Sequence, residues 1–257
     1  MKLASWGAAA MLACASTVQA SPVLLNGGFE LTTPITPGAI NGQLGLNLNA
    51  TGWVLGPNVF NNGYRVDLLF NSGANAAAGV NSQLGTINLG GVTNSPSGGN
   101  FAAVNADETF GAPLSTILTG LTVGNLYNVS FDYGAAMFIP VGSPGGVQTL
   151  NWAVSLGGNP LDCRGVTSAA CQHSANVSTT ASGSFSGWVS SSLSFNAVSN
   201  TAALNFLAVG PTGFSPFLLL DNVKVTDADA VPVPEPAAML LLGTGLVGLV
   251  RRRIRKS

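Results

Sequence analysis

The sequence predicts an all-β body, a two-sheet antiparallel sandwich over residues 21–228. Three observations carry that prediction. Short runs of β-forming residues recur between clusters of Gly, Asn, Pro and Ser. Several runs alternate, as in Leu126, Asn128 and Ser130 against Tyr127, Val129 and Phe131, so that one face of each is buried. No stretch of the body shows helical periodicity, and no fixed period appears of the kind a β-helix needs.

Taken in order, the expected strands are Gly52–Leu55, Tyr64–Phe70, Asn100–Val104, Leu114–Leu118 and Leu126–Tyr133. Thr149–Leu156, Gly187–Phe195, Thr201–Val209 and Phe217–Thr226 complete the set. Short strands at this density, with hairpin-like punctuation, suit two packed sheets.

Composition narrows the setting. Only 7% of the 257 residues are charged, against about a quarter in ordinary globular proteins, so the surface must consist of Asn, Ser, Thr and Gly. Lys2 and the cluster Arg251, Arg252, Arg253, Arg255 and Lys256 hold most of the cations. The body keeps Arg65, Arg164 and Lys224 against Glu30, Asp67, Asp107, Glu108, Asp132, Asp162, Asp221, Asp227 and Asp229, and is net acidic. Nucleic acid is excluded as a partner, since phosphate neutralisation needs clustered Lys and Arg.

Residues 1–20, MKLASWGAAAMLACASTVQA, combine one cation, an apolar run and a small-x-small ending, the pattern of a secretory signal peptide cleaved between Ala20 and Ser21. Cys14 in MLAC suggests the alternative of a lipoprotein signal, against which Met stands where Leu is usual. After cleavage the chain holds Cys163 and Cys171, and an even pair in an exported chain reads as one disulfide closing a short loop. The rival reading, a metal site with His173, lacks further ligands at suitable spacing.

The C-terminal segment 231–257 has three parts. Val233-Pro234-Glu235-Pro236 favours an extended backbone. Residues 237–250 carry no charge but fall short of the ~20 residues a spanning helix needs. Arg251, Arg252, Arg253, Arg255 and Lys256 then form a basic stop that holds the end on the cytoplasmic side. This order, with a short hydrophobic helix at its centre, resembles the PEP-CTERM sorting domain of Gram-negative bacteria. The resemblance implies recognition by exosortase, a membrane transpeptidase-like enzyme, transient anchoring in the inner membrane, and release or attachment of the body at the outer surface.

A second resemblance covers the body. LLNGGFE, TGWVL, LTGLTVGNLYNVSFDYG and LLLDNVKVTD are similar to the jelly-roll domains of carbohydrate-binding modules, in which opening and closing strands are neighbours. This implies a jelly-roll sandwich. It also implies a structural Ca²⁺ site at Glu30 and Asp221, whereas the residues alone equally allow an exposed Glu30 and an Asp221 that caps a turn. Sugar stacking needs an exposed ring, and Trp53, after a Gly-rich turn, is the candidate; Trp152 and Trp188 sit in alternating strands and read as core.

Catalytic residues are not expected. His173 is the only histidine, and no nucleophile elbow, HExxH or P-loop is present. Asp107 and Glu108 are adjacent, so on a strand they point to opposite faces, and they read as part of a solvated turn. The expectation is a non-enzymatic cell-surface or extracellular-matrix protein associated with exopolysaccharide in a biofilm. The alternatives are a lectin-like module with a sugar pocket at Trp53 and, last, an extracellular hydrolase.

Overall fold

The strand Leu126–Met137 shows how the sequence builds the sandwich. Tyr127, Val129, Phe131 and Tyr133 point into the space between the sheets and are buried, while Asn128 and Ser130 face the other way. The structure is a computed structural model that describes residues 21–138, 147–180, 183–213 and 216–228. The described residues form one compact unit.

The described strands, in chain order, begin with β1 (Thr32–Pro34), β2 (Gly42–Gln43), β3 (Leu48–Ala50), β4 (Trp53–Leu55) and β5 (Asp67–Phe70). After the helix α1 (Gly73–Ala78) come β6 (Val80–Ser82), β7 (Gly85–Ile87), β8 (Phe101–Asn105), β9 (Leu114–Leu118), β10 (Leu126–Met137) and β11 (Gln148–Leu156). A 3-10 turn at Pro160–Cys163 precedes β12 (Cys171–His173), β13 (Val177–Thr179), β14 (Val189–Asn196), β15 (Ala202–Val209) and β16 (Pro216–Asp227).

Two antiparallel sheets make up the jelly-roll sandwich. One has the order β14-β10-β16-β8-β5-β2, the other β12-β11-β15-β9-β4 with β13 also on β11. From β8 onward each successive long strand, β9, β10, β11, β14, β15 and β16, crosses to the opposite sheet. Small ribbons β1-β3 and β6-β7 flank them.

Between the sheets lies an aromatic core centred on Phe206, whose ring meets Trp53, Phe131 and Trp152 at centroid distances of 6.2, 5.1 and 5.7 Å. Buried polar tips are satisfied: Trp152 Nε1 donates to the Leu219 carbonyl at 3.2 Å and the Tyr133 hydroxyl to that of Ala175 at 3.0 Å.

At β5, β8, the second half of β10 and the first half of β16 the first sheet is buried on both faces. Behind it Phe70, Phe101, Phe217 and Leu219 pack under α1, with Phe185 and Trp188 closing the cover. Unbroken apolar runs such as LLF, FAAV and FLLL are the sequence mark of such strands. The second sheet has a smaller outer cluster, Ala153, Cys163 and Leu207, held by the Cys163–Cys171 disulfide.

The nine expected strands are all present, with shifted ends. β10 runs on to Met137, because Ala135, Ala136 and Met137 keep pairing with β16, and β5 starts only at Asp67. Trp188 belongs to the outer cover, half-buried, with Nε1 on the Thr93 carbonyl at 3.1 Å, and not to the space between the sheets. Periodicity missed α1 because six residues, capped by the Ser72 side chain on Asn75 N–H, are too few to show it.

Candidate functional site

One edge strand from each sheet, β2 and β4, lies along a cleft of about 670 Å³, with β3 between them in sequence. β2 can begin there because Gly42 has a φ of +131°, and a Cβ would crowd Asn47, whose side chain takes the Gln43 N–H at 2.8 Å. Thr33, Asn49, Thr51 and Gln83 supply amides and hydroxyls, while Leu46 and Val54, 42% and 64% exposed, supply apolar contact. None of the lining residues is an acid or a histidine.

One wall is knitted by side-chain amides. Gln43, itself buried, donates Nε2 to the Arg65 carbonyl at 2.8 Å and to Gln83 Oε1 at 2.9 Å, and its Oε1 accepts the Gln83 N–H at 2.6 Å. The loop leading to Arg65 is pinned by Asn58, whose Nδ2 reaches Asn62 Oδ1, the Tyr64 carbonyl and the Thr109 carbonyl at 2.6, 2.8 and 2.8 Å. Tyr64, between the lining residues Gly63 and Arg65, is 41% exposed and stands edge-on to Phe110 at 5.8 Å.

Trp53 contributes to the cleft wall but is not a stacking platform. Only 6% of it is exposed. Phe29 covers its ring at 4.9 Å, and its Nε1 donates to the Asn26 carbonyl at 2.9 Å. The Gly-rich turn before Trp53 does not free the ring, because the NGGFE turn folds over it. Sequence reading missed Gln43 and Gln83; Arg65 stood out as one of only three cations in the body, and Tyr64 as one of its aromatic residues.

Glu30 and Asp221 are brought together. The opening segment docks beside β16, with the Val223 N–H on the Gly27 carbonyl at 2.9 Å, so close that a Cβ at Gly27 would collide with the Val223 carbonyl. A Cβ at Gly28 would lie 3.7 Å from Asp221 Oδ1 and 3.9 Å from Glu30 Cγ. Both acids adjoin left-handed backbone, Phe29 at φ 59° and Asn222 at φ 53°, a conformation that costs on the order of 1–3 kcal/mol and concentrates at functional positions.

Asp221 is fully buried, its Oδ2 accepts from the Ser95 and Ser97 hydroxyls, and its Oδ1 has no partner. Burial pushes its carboxyl above the ordinary value; hydrogen bonds from Ser95, Ser97 and Asn222 oppose the rise, and the charge of Glu30 adds to it. Glu30 Oε1 accepts the Asn100 N–H at 2.8 Å. An orphaned buried oxygen beside a second carboxylate is a fitting donor set for a hard cation, with hydroxyls, carbonyls and water left to complete the shell. Among the described residues no three His, Cys, Asp or Glu converge as a metal cluster.

Asp107 does not lie in a solvated turn. It is buried, with Oδ1 on the Thr109 N–H at 2.9 Å and Oδ2 on the Gly213 N–H at 2.6 Å, because it ties the turn after β8 to the loop before β16. Glu108 pairs with Arg164 at 3.4 Å. His173, on β12, faces Asn151 Oδ1 and the Val166 carbonyl, both at 3.0 Å.

The C-terminal segment, with the hydrophobic stretch 237–250, and the signal peptide as far as Ala20 lie outside the described residues, which begin at Ser21. Residues 232–256 match the PEP-CTERM protein-sorting motif. The PEP-CTERM tail thus holds Val233, Pro234, Glu235 and Pro236 and the basic stop at Arg251–Lys256, in line with the sequence reading. Among the described residues, no helix is long and apolar enough to cross a membrane.

Among curated proteins none matches the chain significantly. Among solved structures the chain is similar to the CBM22-1 xylan-binding domain of Paenibacillus barcinonensis Xyn10C, with 13% identity, 80% of this chain and 94% of that one covered, and a TM-score of 0.37. It is also similar to a CBM61 domain in complex with β-1,4-galactotriose, with 10% identity, coverage of 79% and 97%, and a TM-score of 0.35. A cleaved adhesin domain of Lys-gingipain from Porphyromonas gingivalis gives 12% identity, coverage of 78% and 95%, and a TM-score of 0.38.

Proposed function

We propose that this chain is a non-enzymatic exported protein, sorted by an exosortase through its PEP-CTERM tail, whose sandwich binds extracellular polysaccharide in the cleft between β2 and β4. Its place is the cell surface or extracellular matrix of a Gram-negative bacterium, after transient anchoring in the inner membrane, and its partners are exosortase and exopolysaccharide. The cleft is the observation that carries the reading: amides and hydroxyls for sugar hydroxyls, Leu46 and Val54 for the C–H faces of a pyranose, and walls already fixed by hydrogen bonds. Preorganised walls reduce the ordering cost of binding.

A hydrolase is disfavoured because the carboxylates are placed elsewhere. Asp107 and Glu108 are engaged in a turn and an ion pair, and neither lines the cleft.

We further propose that Glu30 and Asp221 hold a structural Ca²⁺ that fastens the opening segment to β16. The ion would supply the partner that Asp221 Oδ1 lacks.

Polysaccharide binding by the full chain and by Asn49→Trp tests the cleft. Asn49 is exposed on β3, and an indole there fills the groove. Saturable binding lost in the variant supports the reading; weak binding spread over many polymers, or binding that the variant retains, overturns it.

A further inference from the structure

We infer that the cleft is built for an acidic saccharide, with Arg65 as the cation that takes its carboxylate or sulfate; the inference rests on the reading of the cleft as a glycan site. Neutral sugars are recognised by amides, hydroxyls and apolar contact, and the cleft has all of these without Arg65. A guanidinium adds a planar fork of donors that matches a carboxylate or sulfate through two parallel hydrogen bonds.

The surroundings single this cation out. Arg164 is paired with Glu108, and Lys224 lies on β16, away from the cleft lining. Arg65 has no ion-pair partner among the described residues. The acid nearest to it in sequence, Asp67, is fully buried and accepts from the Ala112 N–H at 3.4 and 3.3 Å. No acid lines the cleft, so the local potential is positive on a body that is otherwise net acidic. An acidic polymer thus meets a cation at the cleft with no acid among the lining residues, which is a means of register and specificity.

The position of Arg65 is also prepared before any ligand arrives. Its carbonyl is held by Gln43 Nε2 and its N–H faces Gln83 Oε1 at 3.4 Å, while Asn58 fixes the loop that precedes it. Gln43 is buried and spends its whole amide on this arrangement. A side chain that served only solubility would not need its backbone fixed from three directions.

The experiment is a titration of the full chain with paired probes: oligogalacturonate, oligoglucuronate and oligomannuronate against their carboxyl-reduced forms, and sulfated galactan oligosaccharides against their desulfated forms. At least one acidic probe is expected to bind about ten-fold or more tighter than its neutral twin, which a charge-assisted bidentate contact supports. That margin shrinks as salt is raised and closes in Arg65→Gln, the acidic and neutral twins then binding alike. The carboxylate and sulfate arms identify which acid is read. Equal binding of acidic and neutral twins overturns the anion assignment while leaving the glycan reading intact, as does an acidic preference that survives Arg65→Gln. Failure of every probe, acidic and neutral, overturns the glycan reading itself.

Discussion

Gln43 and Gln83 grip each other across the wall of the cleft, Nε2 to Oε1 at 2.9 Å in one direction and N–H to Oε1 at 2.6 Å in the other. The pair joins the edge strand β2 to the β6–β7 turn, and through Gln43 it holds the backbone of Arg65. Removing a buried amide leaves its partners unsatisfied, at a cost of about 1–3 kcal/mol. Gln43→Ala should therefore destabilise the fold by about that amount in urea titrations and weaken polysaccharide binding, whereas Gln83→Ala, at an exposed position, should cost less stability.

The core prediction concerns Phe206. Its ring is the shared neighbour of Trp53, Phe131 and Trp152, from three different strands. Phe206→Ala should cost about 3–5 kcal/mol, as large-to-small changes of a buried aromatic do. Chemical denaturation of the full chain checks this; a loss below about 1 kcal/mol would mean that the sheets do not meet there.

Asp67 makes the stability depend on pH. Burial pushes its carboxyl well above the ordinary range, against lowering by backbone hydrogen bonds from Ala112 and Asn105 and the charge of Arg65. Folding therefore favours the protonated form. The associated stability is fully present below about pH 4, the ordinary value, and is lost as pH rises through the raised one. Melting temperatures measured across that window should fall with rising pH in the native chain, and the slope should flatten in Asp67→Asn.

Calcium at Glu30 and Asp221 would stabilise by mass action. At a hundred times its dissociation constant, a bound ion raises the melting temperature of a chain this size by about 5–10 °C. Chelation should reverse the shift, and Asp221→Asn should abolish the response. No shift on chelation would leave the two acids without an ion.

Much of this was legible in the sequence. The nine principal strands follow from alternation and turn residues, and the disulfide from an even cysteine pair in an exported chain. The meeting of Glu30 with Asp221 followed from the likeness of the opening and closing segments to jelly-roll domains. What escaped was set by long-range contact. Trp53 looked available because its own neighbours are Gly and Thr, but Phe29, far behind it in sequence, covers the ring. Asp107 looked solvated because NADETF is polar, yet Gly213 reaches it from across the fold. The cleft was invisible for the same reason: Gln43, Asn49, Arg65 and Gln83 come from four separate segments, and none carries a local pattern.

The cleft reading is tested most directly by hydrogen–deuterium exchange of the full chain with and without a polysaccharide that it binds. New protection is expected over the lining segments around Thr33, Gln43–Leu55, Gly63–Arg65 and Gln83, with β12 and its neighbour β11 at the other end of the sheet unchanged. Protection centred on β11 and β12, or spread evenly over the sandwich, would contradict it.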